Sequence, residues 1–199
     1  MTYDNLTALC IFALVTSITP GPNNLMLMAS GANYGYARSV PHMAGIIAGF
    51  AVLLLLVGFG LFEIFETVPA TYLVLKVFGV AYLLYLAWKI ATAAAPDSMN
   101  EEVGKPFTFL QAALFQWVNP KVWTVCLTAI VVYAPSRSLG AILVLLLVFA
   151  MVTLPSISIW TLMGQQVRSS LTSTLRLRIF NGTMAVLLVA SLYPMLAPA

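Results

Sequence analysis

Two short stretches carry most of the residues able to do chemistry: Thr19-Pro20-Gly21-Pro22-Asn23-Asn24 and Asn119-Pro120-Lys121. Both interrupt apolar runs. Proline removes a backbone donor and its ring clashes with the carbonyl four residues earlier, so neither stretch propagates a helix. Gly21 is expected to supply the freedom for a tight reversal. Such a break is costly in a bilayer, where freed N–H and C=O groups find no water, but it is tolerated where broken helices line a polar cavity in a transporter. A half-helix starting near Asn23 would aim free N–H groups and a positive dipole end at that cavity, a place for a carboxylate. The half-helix ending near Thr19 would offer carbonyls to an ammonium group. Asn23, Asn24 and Asn119 add amide donors and acceptors. A small zwitterion such as an amino acid fits this pairing, and the expected substrate-binding set is Thr19, Pro20, Gly21, Pro22, Asn23, Asn24, Asn119, Pro120 and Lys121. The competing reading of the break alone is a packed kink without a ligand.

Lys121 is the only cation placed near an expected mid-membrane break. A buried ammonium costs a few kcal/mol on insertion scales, so it needs a partner or gives up its proton. It could hold a substrate carboxylate, titrate during transport, or cap carbonyls of the preceding half-helix. The six acids, Asp4, Glu63, Glu66, Asp97, Glu101 and Glu102, all lie at termini, edges or loops, which disfavours a carboxylate proton relay and a site for cationic amino acids. His42, at the expected start of a span, titrates near neutrality when unperturbed but is read as structural. Cys10 and Cys126 lie in apolar runs and are read as small buried hydrophobes, without disulfide or metal spacing. No cofactor is expected.

The elements that must position these residues are set by composition. Hydrophobic residues make up 61% of the 199 and charged residues only 8%, with a mean hydropathy of +0.98. A soluble domain is about 25% charged, so the chain is an integral membrane protein. At about 20 residues per crossing it has room for six spans. The net charge of +3 is too small to point to nucleic acid. A cleaved signal peptide is not expected, because the first residues carry Asp4 and no Lys or Arg.

Span one is expected over 6–33, broken at 20–22. A short polar turn, Gly35 to Ser39, precedes span two at 41–62, whose Gly45 and Gly49 let another helix approach closely. Glu63, Glu66 and Pro69 mark an aqueous edge. Span three is expected over 72–90. Tyr82, Tyr85 and Lys89 share one face of it, and Trp88 with Lys89 reads as an interfacial anchor. A polar linker covers 95–106. Span four, 107–133, breaks at 119–121. Span five, 139–164, carries Pro155 as a kink, and span six covers 179–196 after a loop with Arg168, Arg176 and Arg178.

The breaks at Pro20 and Pro120 are about one hundred residues apart, and Leu75-Lys76-Val77-Phe78-Gly79 resembles Leu177-Arg178-Ile179-Phe180-Asn181 at a similar offset. The expected fold is therefore an all-α membrane protein of six transmembrane helices. It forms two inverted three-helix repeats, with helices one and four broken at proline motifs. It is one transmembrane domain: repeat one over 1–94, linker 95–106, repeat two over 107–199. Arg38, Lys89, Lys105, Arg168, Arg176 and Arg178 fall on one side, which the positive-inside rule makes cytoplasmic, with the C-terminus outside. If span one re-enters instead of crossing, the N-terminus lies inside.

The Thr-Pro-Gly-Pro-Asn run at 19–23, Gly35 and Arg38, Gly45 and Gly49, the pattern Lys76, Gly79, Tyr82, Leu83, and Asn119-Pro120-Lys121 together resemble the LysE/RhtB amino-acid exporters. The resemblance covers nearly the whole chain. It implies a bacterial inner-membrane secondary transporter that exports amino acids or close derivatives by proton antiport. The doubled asparagine at 23–24 and Phe115-Gln116-Trp117-Val118-Asn119 are most similar to the cysteine and O-acetylserine exporter branch. The homoserine, threonine and leucine exporters share most of these marks. A homodimer is compatible with so small a transporter. A passive channel, a non-transporting assembly subunit and an intramembrane enzyme are the alternatives. The last would need paired acids, an activated nucleophile or metal ligands.

Overall fold

A computed structural model of the chain describes residues 2–61, 70–93 and 105–193, the side chains of 70–72 excepted. Glu63, Glu66, Pro69 and the linker acids Asp97, Glu101 and Glu102 lie outside the described residues, as do positions 194–196 of the expected last span. The described residues form eight helices: α1 Tyr3–Ile18, α2 Pro22–Tyr34, α3 Tyr36–Gly58, α4 Ala70–Ala91, α5 Phe109–Val118, α6 Pro120–Tyr133, α7 Leu139–Arg168 and α8 Thr174–Ala190.

The proline motifs split two segments, as expected. α1 and α2 together are apolar enough for one span and bend by 53° at the break. Pro22 occupies the first turn of α2 and Pro120 that of α6, positions where the missing N–H has no intrahelical acceptor. Asn119 caps both ways, closing α5 and accepting at 3.1 Å from the Lys121 N–H with its Oδ1. α3, the Leu73–Ala91 part of α4, and α7 are each long and apolar enough to cross a membrane alone. The chain is thus an all-helical, multi-pass membrane protein. α5 and α6, at 10 and 14 residues, are short because the second break divides them, and α8 has 17 residues.

Several boundaries differ from those read off the sequence. The expected polar turn at 35–39 shrinks to Gly35 alone, whose φ of +81° and ψ of 169° is a conformation open essentially only to glycine. Helix α3 starts at once, so Pro41 falls inside it. α8 likewise begins early: the Ser173 hydroxyl accepts from the Arg176 N–H at 3.3 Å and draws Arg176 and Arg178 into the helix. Pro155 lies inside α7, as expected. Cys126 is buried, but Cys10 is exposed, because α1 buries only the stripe through Leu9 and Ala13.

Three apolar clusters hold the bundle together. One joins α1, α3, α6 and α7 around Leu54, Cys126 and Phe149. A second joins α2, α3, α5 and α7 around Leu27, Ile46, Ala112 and Ile157. A third joins α2, α4, α5 and α8 around Met26, Leu86, Phe115 and Leu188. Lipid is as apolar as leucine, so helix association rests on close packing and buried polar contacts. Two crossings show this most strongly. Gly45 and Gly49 of α3 press on the Phe109 and Ala113 carbonyls of α5, where an added Cβ would lie 2.2 and 2.5 Å from oxygen. Gly31 of α2 and Gly164 of α7 lock reciprocally, with Cβ positions 2.1 Å from Thr161 O and 2.0 Å from Met28 O.

These contacts are with backbone, which cannot rotate away. Gly31→Ala and Gly164→Ala should each destabilise the bundle by about 1–3 kcal/mol, read as a lower melting temperature in detergent. Gly182→Ala, where nothing lies within 4 Å of the added methyl, should leave melting unchanged or raise it, because alanine is the better helix former.

Candidate functional site

The two breaks meet. The Lys121 ammonium, from the first turn of α6, reaches across to the end of α1 and donates to Thr19 O at 3.0 Å, Thr19 Oγ1 at 2.9 Å and Pro20 O at 3.4 Å. Beside it, Asn23 of α2 and Gln116 of α5 form a reciprocal amide pair, Nδ2 to Oε1 at 2.8 Å and Nε2 to Oδ1 at 3.1 Å. Each half of the chain therefore holds the other at its interruption.

The carbonyls freed at the end of α1 are largely occupied by the protein itself. Asn24 donates to Ser17 O at 2.8 Å and Thr19 O at 2.9 Å. The Trp160 indole donates to Ile18 O at 3.0 Å. Lys121 stands where a substrate ammonium was expected, so it caps the first break and not the half-helix that precedes it in sequence. At the other side of the break α2 begins with the bond from Leu25 N to Gly21 O. The Asn23 and Asn24 N–H groups lie ahead of it, in the turn whose donors have no intrahelical acceptor.

Gly21 has a role other than the one expected. Its φ of −177° and ψ of 174° are extended backbone that any residue adopts. What the glycine does is leave room for the lysine packed over it: an added Cβ would lie 3.0 Å from Lys121 Cδ and 3.1 Å from Nζ, so the lysine would have to shift.

A cavity of about 60 Å³ opens beside these contacts, room for roughly four or five waters or a few heavy atoms of a small solute. Gly21, Pro22, Asn23, Asn24, Asn119 and Lys121 line it, whereas Thr19, Pro20 and Pro120 contribute only to the break that frames it. Its remaining wall was not read from the sequence as a site. Gln116, Thr16, Ser17 and Thr153 add polar groups, with Ser17 and Thr153 hydroxyls 3.1 Å apart. Ile46, Phe50, Val122, Val125, Phe149 and Ile157 make the rest apolar. Gln116 had a signal, being a fully buried amide in an apolar segment three residues before Asn119. Phe50 and Phe149 had none, since apolar residues fill every span.

Lys89 also departs from expectation. Instead of snorkelling to head groups beside the exposed Trp88, it turns inward, donating to Gln111 Oε1 at 3.3 Å and lying 4.6 Å from the centre of the Phe107 ring. Tyr82, on the same face, donates from its hydroxyl to Gln111 O at 3.0 Å.

An all-helical membrane bundle with two interrupted segments facing each other across a partly polar cavity has the architecture of a transport protein. The chain belongs to the LysE-type translocator family, whose model matches residues 14–191. Among curated relatives, a cysteine/O-acetylserine efflux protein of Escherichia coli is 35% identical over 130 residues, 65% of this chain and 66% of the relative. One from Salmonella typhimurium is 36% identical over 125 residues, 63% of each chain. The matched stretch thus spans just under two thirds of these relatives. No solved structure matches the chain.

The amide pair gives a direct test of the geometry. Asn23→Ala or Gln116→Ala should each cost about 1–3 kcal/mol of stability, because the partner amide is left unsatisfied. The double variant should be about as stable as either single one. Additive losses in a double-mutant cycle of melting would show that the two amides do not meet.

Proposed function

We propose that the protein is a secondary transporter, not an enzyme, that exports small neutral amino acids or their derivatives from the cytoplasm by proton antiport. The observation that carries this reading is the bridge from Lys121 to Thr19 and Pro20, which brings charge, free backbone donors and amides to one cavity. The substrate carboxylate pairs with Lys121 and the Asn23 and Asn24 N–H groups. Its ammonium then takes over the Thr19 and Pro20 carbonyls that the lysine leaves. The apolar wall of Phe50, Val125 and Phe149 receives a short uncharged side chain. Names of the relatives point to cysteine and O-acetylserine as the first substrates to try.

The same reading makes the fold six spans in two inverted repeats, 1–94 and 107–199, joined by the linker at 95–106. The packing supports it. Exchanging the halves turns the set α1, α3, α6 and α7 into α5, α7, α2 and α3, which are the members of two of the three apolar clusters. Repeats related in this way open alternately to either side around one central site. The proposed setting is the bacterial inner membrane, basic loops in the cytoplasm and the C-terminus outside.

Counterflow in proteoliposomes with labelled cysteine, O-acetylserine, homoserine, threonine and leucine tests the reading. Wild-type protein should exchange at least one of them saturably. Lys121→Ala and Asn23→Ala should slow exchange by about 10–100-fold, the loss expected for a hydrogen bond to a charged group. Exchange at wild-type rates in both correctly inserted variants would remove this site. Flux without saturation or counterflow would make the protein a channel, and no flux at all would make it an assembly subunit.

A further inference from the structure

His42 is the only histidine in the chain. It lies in the second turn of α3, wholly buried, and neither Nδ1 nor Nε2 has a hydrogen-bond partner among the described residues. A neutral imidazole carries one donor and one acceptor, and buried polar atoms are nearly always paired, so an orphaned pair needs an explanation. An ionisable residue inside a membrane bundle is by default a functional one.

Its surroundings supply that explanation. The ring meets Phe107 edge-on, with centroids 5.2 Å apart, and the Lys89 ammonium lies on the same Phe107 ring at 4.6 Å. Phe107 also lines a cavity of about 10 Å³ with Ser30, Asn33, Tyr34, Lys89 and Lys105, close to the room one water needs. Lys89 on α4, Lys105 ahead of α5, and Tyr34 at the end of α2 are the titratable groups around this small cavity. Elsewhere α4 carries Lys76, Tyr82 and Tyr85, and α6, which packs on α3, carries Lys121, Cys126 and Tyr133. α3 itself adds Tyr36 and Arg38. α5 carries none, α7 only Arg168 in its last turn, and α8 has Arg176 and Arg178 in its first turns. No carboxylate is among them. A protonated ring in this arrangement would have no acceptor among the described residues and would face another cation.

The same elements reach the candidate site. His42 and Ile46 are four residues apart, on one face of α3, and Ile46 lines the central cavity. Phe107 leads into α5, whose far end carries Gln116 and Asn119, also on that cavity. Gly45 locks α3 onto α5 at the Phe109 carbonyl. One short helix, α5, thus connects the His42–Phe107 contact to Gln116.

We propose that His42 is the proton-binding residue of the transport cycle, binding a proton on a ring nitrogen in the alternate conformation and releasing it to water when α3 and Phe107 close as seen here. This rests on the antiport reading above. It also gives the orphaned nitrogens a use: the dry, unpartnered state is the one that expels the proton.

The test uses proteoliposomes containing wild type, His42→Gln or His42→Asn, with the substrate that wild type exchanges. Counterflow at equal pH moves no net proton, whereas accumulation driven by an imposed pH gradient requires one. Both variants should keep counterflow within about twofold and lose gradient-driven accumulation by tenfold or more. Gradient-driven accumulation at the wild-type level in either variant would overturn the proposal, as would equal loss of both activities in folded protein. Absence of counterflow in wild type would instead overturn the transport reading itself, and counterflow without gradient-driven accumulation in wild type would remove proton coupling and this role together. A second readout needs no variant. Diethyl pyrocarbonate modifies histidine, and in wild type only His42 can react as such. Its carbethoxylation should be slow in the resting protein and rise about fivefold or more during exchange, as the alternate state becomes populated. A rate indifferent to exchange would contradict the proposal.

Discussion

A carbonyl freed by a broken helix in hydrocarbon has no water to turn to, and the first break in this chain frees several at once. The structure answers with side chains drawn from three places. Asn24 folds back from the start of α2, Trp160 reaches over from α7, and Lys121 crosses from α6. The interruption is thus held by elements distant in sequence, and the second break is held to the first. Satisfying one helix end dictates the position of the other, and the cavity between them follows.

That arrangement needs the helices around it to come unusually close. Where lipid competes for every apolar face, helix approach is set by the size of the residues between backbones. The glycines of α2, α3 and α7 bring backbone carbonyls of neighbouring helices to within contact of their Cα atoms. Buried polar pairs add specificity. Asn33 of α2 and Asn181 of α8 exchange two amide hydrogen bonds at 2.7 and 3.0 Å, and Ser30 meets Ser39 at 2.8 Å. The asparagine pair joins the two halves of the chain, and the serine pair ties α2 to α3 within the first half.

Much of this was legible in the residues because proline and composition act locally. Pro22 and Pro120 fix where helices restart, and the scarcity of charge identifies a membrane chain without further argument. Asn23 and Lys121 were visible as polar residues with no business in lipid. What side chains do at a distance was not legible. The carbonyls at Thr19 looked free until Lys121 and Asn24 were seen to take them. Gly21 looked like a turn residue, but it makes room for a lysine one hundred positions away. Gly35, a single residue in a left-handed conformation, replaced an expected turn because α3 could start immediately. Lys89 turned inward because Gln111, tied to Thr108 by a capping box, presents an acceptor there. His42 looked interfacial because its span was expected to begin at Pro41. With the helix starting at Tyr36, the ring falls inside the bundle.

The contact on which all of this turns is the one between Lys121 Nζ and the Thr19 carbonyl. Solid-state NMR on protein in lipid bilayers, labelled with ¹⁵N at the lysine side chains and ¹³C at the threonine carbonyls, measures it directly. With the nitrogen 3.0 Å from the oxygen, the Nζ-to-carbonyl-carbon distance is about 4 Å, and the spectrum should show a cross-peak that disappears in Lys121→Ala. A full-length, folded wild-type protein with no such cross-peak would mean that the two breaks do not meet, and the cavity would lose the bridge that defines it.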